Sequence, residues 1–261
     1  MDSVAVTRLS IFLSVLVFFI LLEAILPARK RVLPRLARWR TNLSLSVLGS
    51  VTGALMSPVL AVSVAALAAS NGCGLFNLVS IDPWIEAAIA IILLDFAIWA
   101  QHVAFHYVPW LWRLHSVHHT DRDLDATSGV RFHPVEIAIS LLWKALVILA
   151  LGPSVLAVLT FEVVLNTTAI FTHSNISLPP KIDRTLRTLF VTPDMHRIHH
   201  SVREPETNSN FGFNLSVWDR LFRTYRWKAE GPLTLGLIEH QSETPAQLGA
   251  SLWLPFRSRN P

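Results

Sequence analysis

The residues of this chain whose types and spacing could do chemistry are histidines at helical spacing. Two triplets have the spacing i, i+3 and i+4, and they are His115, His118 and His119, and His196, His199 and His200. Side chains three and four residues apart lie on one face of a helical turn. Neutral imidazole binds iron, zinc, copper or nickel without bringing negative charges together. The repeated triplet therefore predicts a metal site.

Other histidines extend this set. His102 and His106 stand at i and i+4 just before the first triplet, and His173 lies between the triplets. These nine imidazoles are too many for one ion and suit two. His133 precedes a proline at a predicted helix start, so it is as readily a cap or hydrogen-bonding residue as a ligand. His240 stands apart, and we expect it to be exposed to solvent.

The composition is that of a membrane protein. Hydrophobic residues make up 52% of the 261 residues, charged residues 15%, and the mean hydropathy is +0.45, whereas ordinary soluble domains carry about 25% charged residues. A single cysteine, Cys73, excludes an internal disulfide and any cysteine-based zinc or iron–sulfur site. The basic residues cluster where apolar segments end, which favours membrane lipids as partners and indicates no nucleic-acid partner.

The apolar runs predict the path of the chain through the membrane. Residues 8–26 form a first span, and the basic run from Arg29 to Arg40 marks its following side as cytoplasmic. A second span covers residues 42–69 with a kink at Pro58, and a third runs from Asp82 and Pro83 to about residue 107. Three crossings place the histidines on the cytoplasmic side.

A helical hairpin follows, which begins at His133 and Pro134, breaks at residues 151–153 and resumes to about residue 172. Its legs either span the membrane fully or enter it and return. The chain from His173 onward is polar and forms a cytoplasmic cap. The predicted fold is therefore all-α, an integral, multi-pass membrane bundle of about four or five helices with a histidine-rich cytoplasmic cap.

Polar residues inside the predicted spans share helical faces with the histidines. Asp95 lies on one face with His102 and His106, and Glu162 and Asn166 lie on another face with His173. A carboxylate in a membrane is costly unless it has a partner. We predict that Asp95 and Glu162 orient ligand imidazoles, and that Asn166 does the same or is a weak ligand. The alternative is interhelical hydrogen bonding with no role at the metal.

The pattern resembles the fatty acid hydroxylase and sterol desaturase superfamily of integral membrane enzymes. The segments that carry the resemblance are residues 102–106, 115–119, 131–134, 171–175, 196–200, 210–212 and 218–222. It covers residues 84–226, which would be the catalytic domain. Residues 1–83 would then be N-terminal membrane anchor spans with a basic cytoplasmic loop, and residues 227–261 a C-terminal tail.

The resemblance implies two iron ions held by the nine histidines, with no catalytic residue beyond these ligands. It implies O2-dependent hydroxylation or desaturation of a hydrophobic lipid, of the sterol or fatty acyl class, with electrons from a separate ferredoxin or cytochrome. Some members carry a further histidine where this chain has Ala169. That coordination place would be open, or filled by water, Asn166 or His133. Residue 223 is Arg where relatives often have Gly, so the turn at this position is less certain to match the family than the chemistry of the site is.

Two other interpretations remain open at this point. The same imidazoles could hold zinc, which would make the protein a hydrolase or isomerase of a membrane ester. The second interpretation is a membrane protein that transports or senses metal. This interpretation predicts ligands distributed through the spans rather than gathered at one face. No glutamate adjoins the first histidine of either triplet, so the HExxH metalloprotease motif is absent.

Overall fold

The structure, a computed structural model, describes residues 3–242 and 244–257. Its helices are α1 (Ser3–Ile25), α2 (Arg35–Leu55), α3 (Ala61–Ser70), α4 (Pro83–Tyr107), α5 (Pro109–His119), α6 (Pro134–Leu151), α7 (Val155–His173), α8 (Pro180–Leu186), α9 (Pro193–His199), α10 (Glu204–Thr207), α11 (Val217–Leu221) and α12 (Leu248–Trp253). In this part of the chain the only β-pairing is two isolated bridges, Phe190 with Leu215 and Ser201 with Leu235. The predicted all-α class is confirmed.

Four helices are long and apolar enough to cross a membrane, namely α1, α4, α6 and α7. They contain between 18 and 25 residues, close to the roughly 20 residues that a helix needs to span hydrocarbon. Helix α1 exposes large apolar side chains such as Phe18 and Leu21, each 58% exposed. Lipid tails are the medium in which such a surface is stable.

The predicted second span is not one kinked helix. Helix α2 begins at Arg35, earlier than predicted, and a 3-10 turn over Ser57–Val59 separates it from α3. Pro58 lacks an amide hydrogen and its ring clashes with the preceding turn, which ends the helix. Asn42, at the predicted start of this span, instead lies buried inside α2.

Helices α4 and α5 follow the predicted start and stop signals. The Asp82 side chain accepts hydrogen bonds from the amides of Trp84 and Ile85, and Pro83 occupies the first turn. Helix α4 ends at Tyr107, before Pro109, which opens α5. The two prolines thus place both ends of the segment that carries His102 and His106.

The hairpin of α6 and α7 turns at Gly152, as predicted. Gly152 has φ 64°, and a Cβ there would stand 2.4 Å from the carbonyl oxygen of Cys73. Only glycine combines this left-handed backbone with so close an approach. The Ser154 side chain then caps α7 by accepting from the amide of Ala157. The legs have 18 and 19 residues, enough to span the membrane.

A hydrophobic core lies where α3, α4, α6 and α7 meet, with Val64, Leu94, Ile148 and Phe161 among its buried members. The small residues of α3 let that short helix approach the spans closely. Helices α8 to α12 and the intervening loops cover the end of the bundle at which α4 and α7 stop. The histidines gather under this cover.

Candidate metal centre

Four helix ends deliver the nine histidines to one place. His102 and His106 occupy the last turns of α4, and His173 is the last residue of α7. The first triplet forms the C-terminal half of α5, and the second triplet lies at the end of α9. All nine side chains are buried, with exposures of 8% or less.

The nine imidazoles divide into two groups, within each of which the potential ligand atoms all lie within 4.8 Å of one another. The group with five members, called the first group below, contains His102, His106, His115, His119 and His199. The group with four members, the second group, contains His118, His173, His196 and His200. Each triplet is therefore shared between the groups, because neighbouring residues on a helix point in different directions.

In several of the rings Nδ1 makes a hydrogen bond to the backbone, which leaves the Nε2 atom with a free lone pair. Nδ1 of His102 lies 2.7 Å from the carbonyl oxygen of Phe211, and Nδ1 of His199 lies 2.7 Å from that of Ser209. A carbonyl only accepts, so these nitrogens carry the single hydrogen of a neutral ring. His173 follows the same rule, with Nδ1 2.6 Å from the carbonyl oxygen of Ala169.

These Nε2 lone pairs face one another. Nε2 of His102 lies 3.1 Å from Nε2 of His115 and 3.1 Å from Nε2 of His199. Nε2 of His173 lies 3.0 Å from Nε2 of both His118 and His196. Where both atoms carry lone pairs, as in the contact of His102 with His199, they repel unless a cation lies between them. The donor set therefore fits one metal ion in each group.

Other ring nitrogens in the groups are buried and have no hydrogen-bond partner. They include Nε2 of His106 and both nitrogens of His119 and of His200. An unpaired buried polar atom costs about 1–3 kcal/mol, so several together require an explanation. A neutral ring has one lone pair, so a bound cation would satisfy one nitrogen in each of these rings.

Burial keeps the imidazoles outside the spans neutral. It lowers the pKa of His115 to about 3. It also lowers the pKa values of His118, His119 and His200 well below the usual value, and neighbouring imidazoles lower them further. Neutral imidazole is the form that binds metal, so the site is ready for ligation at neutral pH.

Glu136 supplies a carboxylate to the centre that the sequence did not reveal. Its Oε1 accepts from Nδ1 of His115 at 2.6 Å, while its Oε2 is buried without a partner. A carboxylate that accepts from the far nitrogen of a ligand histidine fixes the ring and makes it a stronger ligand. The available signal was its place in the first turn of α6, three residues after His133.

A buried ion-pair network supports the loop that follows the first triplet. Arg38 donates to both carboxylate oxygens of Asp121, at 2.6 and 2.7 Å, and to Asp125 at 2.5 Å. Burial alone would raise the pKa of Asp121, but the Arg38 guanidinium lowers it to about 2. Arg38 belongs to the basic run that follows the first span, yet it is buried against these aspartates. The alternating acids at residues 121, 123 and 125 were the signal for a buried cation.

Arg131 links this network to the second group. Its Nε donates to the carbonyl of Val117 at 2.8 Å, and its Nη1 donates to Asn42 at 2.8 Å. Its own carbonyl oxygen lies 3.2 Å from Nδ1 of His118. The position of a ligand ring on α5 thus depends on residues of α2.

The two predicted intramembrane carboxylates have other partners than imidazole. Asp95 accepts from Asn214 and Trp218, each at 2.8 Å, which anchors the segment after α10 to α4. Glu162 accepts from Arg8 at 2.6 Å and from Lys144 at 2.9 Å. These hydrogen bonds join separate segments of the chain, which is the alternative stated above. They do not support the prediction that Asp95 and Glu162 contact and orient a ligand imidazole.

Asp219 performs the orienting role from the cap instead. It accepts from the amides of Phe211 and Gly212 at 2.9 and 2.8 Å, and from the Trp99 indole at 3.1 Å. Burial raises its pKa. Since the carbonyl of Phe211 lies against Nδ1 of His102, Asp219 holds that ligand through one intervening residue.

The remaining candidates lie outside the two groups. His133 caps α6 by accepting from the amide of Val135 at 3.2 Å, and its Nε2 lies 3.3 Å from the carbonyl of Leu252. Asn166 and Ala169 line a cavity within the bundle, and the role of Asn166 as a ligand stays a prediction. Arg223 has φ 61°, which explains why glycine suits this position.

The cavity leads from the first group into the bundle. It encloses about 480 Å³ and is lined by His102, His115 and Glu136 at one end and by Arg8, Lys144 and Glu162 at the other. Its walls between are mainly apolar, with Phe12, Leu45, Ile98, Phe105, Phe132 and Leu141 among them. This volume lies within the roughly 300–1,000 Å³ typical of small-molecule sites.

Two buried groups of histidines that could each hold a metal ion lie at one end of helices long and apolar enough to cross a membrane. Comparison with known sequences gives the family. The sequence model for fatty acid hydroxylase matches residues 87–224, which is more than half of the chain. The chain therefore belongs to the fatty acid hydroxylase family and is a membrane protein. Its recognition as a member of this superfamily from sequence motifs is confirmed.

Curated relatives are lipid-modifying enzymes. Ornithine lipid hydroxylase OlsE of Rhizobium tropici is 29% identical over 149 residues, covering 55% of this chain and 44% of that protein. Human alkylglycerol monooxygenase is 28% identical, covering 60% of this chain and 34% of the enzyme. Rat cholesterol 25-hydroxylase is 29% identical, covering 53% of this chain and 46% of that enzyme. The chain thus spans less than half the length of each, and no solved structure matches it significantly.

Proposed function

We propose that this protein is an O2-dependent lipid oxygenase that uses two iron ions held by the nine histidines. The observation that carries the proposal is the pair of imidazole groups, the first of which lies at one end of a mainly apolar cavity. His102 and His115 belong to the first group and also line the cavity. A lipid chain in the cavity would therefore lie directly against the metal ligands.

When bound, the metal pair supplies the oxidising chemistry of O2 activation. The protein contributes position and exclusion of water. Glu136 holds the ring of His115, and the backbone carbonyls of Phe211 and Ser209 hold those of His102 and His199. The apolar walls would hold a substrate C–H bond beside these ligands and exclude water from the site.

The relatives support a lipid substrate and favour hydroxylation over desaturation. Their names specify an ornithine lipid, an alkylglycerol and cholesterol as substrates of hydroxylases or monooxygenases. A sterol or fatty acyl lipid is the class proposed for this chain. Electrons would come from a separate ferredoxin or cytochrome.

A di-zinc hydrolase or isomerase would use the same imidazoles, and metal analysis separates it from the oxygenase. The metal-transport hypothesis predicted ligands spread through the spans. The nine histidines instead lie together at the ends of α4, α5, α7 and α9. This clustering supports an enzyme over a transporter.

We also propose a multi-pass topology with the histidine site on the cytoplasmic side. Arg29, Lys30, Arg31 and Arg40 follow α1 and support this orientation. Residues 84–226 would be the catalytic domain, between the anchor spans of residues 1–83 and the tail of residues 227–261. Arg38 and Asn42 in the first range brace the catalytic one, and Ser251 in the tail accepts from Arg131.

The test is metal content of the protein purified in lipid nanodiscs, paired with oxidation of extracted membrane lipids under O2 and a reductant. Two irons per chain and a product one oxygen atom heavier support the proposal. Stoichiometric zinc, with no O2 uptake under any reductant, would refute it. His240→Ala serves as the control, since His240 lies outside both groups.

A further inference from the structure

The end of the cavity remote from the metal groups carries an unbalanced charge. Glu162 there pairs with two cations, since its Oε2 lies 2.6 Å from Nη2 of Arg8 and its Oε1 lies 2.9 Å from Nζ of Lys144. The three residues come from α1, α6 and α7, and all three line the cavity. Two cations and one carboxylate leave a net charge of +1 inside the membrane-spanning part of the chain.

An isolated charge within a membrane is costly and requires a partner or a cavity. Glu136 is the other acidic residue on the cavity wall, but it is bonded to His115 at the opposite end. The bonds to Glu162 use one donor of Arg8 and one of Lys144, which leaves further N–H groups on both cations. Their side chains are 36% and 15% exposed, so a ligand in the cavity can reach them.

The position of this cluster relative to the metal groups is set by the helices. Lys144 follows Glu136 by eight residues along α6, which at the α-helical rise corresponds to about 12 Å. Glu162 precedes His173 by eleven residues along α7, which corresponds to about 16 Å. The walls between are mainly apolar, with Phe12, Leu141 and Ile98 among them.

We propose that Arg8 and Lys144 bind the single negative charge of a carboxylate-bearing lipid, whose hydrocarbon chain runs through the cavity to the metal groups. The proposal rests on the proposed function for calling this ligand the substrate. One carboxylate balances the net charge of +1, whereas a phosphate monoester would overshoot it. The oxidised C–H bond would then lie far from the carboxylate, at a distance fixed by the protein.

Binding is tested with metal-loaded protein in phosphatidylcholine nanodiscs, without reductant, using palmitate and its methyl ester as probes. Loss of a charged contact costs roughly ten- to hundred-fold in affinity. Arg8→Gln and Lys144→Gln should each weaken palmitate binding by that factor and leave the ester unchanged, while Arg8→Lys should retain it. The matched control is Lys181→Gln, an exposed lysine on α8.

Unchanged metal content in each variant shows that it has folded. Equal affinity of the wild type for palmitate and its ester, or an intact preference in Lys144→Gln, would overturn the proposal. Tighter binding of lysophosphatidate than of palmitate would overturn the assignment of a carboxylate.

Product analysis provides an independent readout. Saturated fatty acids of increasing length should be oxidised at a constant distance from the carboxyl carbon, because that end is held. A constant distance from the methyl end would overturn the proposal. Oxidation of the ester as efficiently as the acid would overturn the anion site and leave the oxygenase intact. Charge-dependent binding without oxidation of any lipid would refute the oxygenase and leave the anion site intact.

Discussion

Double substitutions in the histidine triplets distinguish the observed grouping from the grouping that spacing suggests. His118 and His200 belong to different triplets but to the same group of four. The variant His118→Ala/His200→Ala leaves two histidines in that group and five in the other. His118 and His119 are neighbours in one triplet but belong to different groups. The variant His118→Ala/His119→Ala therefore leaves three histidines in the group of four and four histidines in the group of five.

The ligand counts give the expected metal content. Catalytic metal sites keep about three protein ligands, so a group reduced to two should lose its ion and a group with three should retain it. We expect about one metal ion per chain in His118→Ala/His200→Ala and about two in His118→Ala/His119→Ala. In the second variant both ions should leave at lower chelator concentration than in the wild type.

The assay is elemental analysis of nanodisc-purified protein, followed by a chelator titration monitored by the metal remaining. His240→Ala should match the wild type in both measurements. If each triplet alone held one ion, His118→Ala/His200→Ala would leave two ligands for each ion and lose both, whereas His118→Ala/His119→Ala would leave one and three and retain one ion. That result would refute the observed grouping.

Three further predictions concern the support of the site. Glu136→Ala should lower metal affinity or turnover by about 10–100-fold through loss of the bond to His115, whereas Glu136→Gln should retain most of it; equal effects would contradict this. Arg38→Met should destabilise the protein by about 3–5 kcal/mol, measured by thermal unfolding in nanodiscs, because it leaves Asp121 buried without its cation; an unchanged melting temperature would contradict it. The lowered pKa of Asp121 means that the wild-type pair contributes stability above pH 3.8 and loses it as the pH falls toward about 2. Arg223→Gly should raise the stability by up to about 1 kcal/mol, since the residue has φ 61°; a lower melting temperature would contradict it.

The sequence alone determined the long apolar helices and the donor chemistry. Prolines, glycines and apolar runs fix helix ends through local sterics and hydrophobicity, so the start of α4 at Pro83 and the break at Gly152 were predictable. Helical spacing and the nature of imidazole predicted a site for more than one metal ion. Both signals are local, and local signals survive in a single sequence.

The local signals failed where a residue's partner is remote in the chain. Arg38 lies in a basic run of the kind that marks the cytoplasmic end of a span. The aspartates that it pairs with, however, lie more than eighty residues away in the loop after α5. Glu162 has the helical register of a residue beside a ligand, yet it pairs with Arg8 of α1. Glu136 gave little sign of its role because His115 comes from another helix.

Tertiary structure alone decided how the histidines divide into two groups. Spacing places His118 and His119 on one turn of α5, but it cannot say which other helices face that turn. The packing of the helices places His119 beside His199 of α9 and His118 beside His173 of α7. The physical reason is that a metal group forms from side chains that converge in space, and convergence depends on how the helices pack.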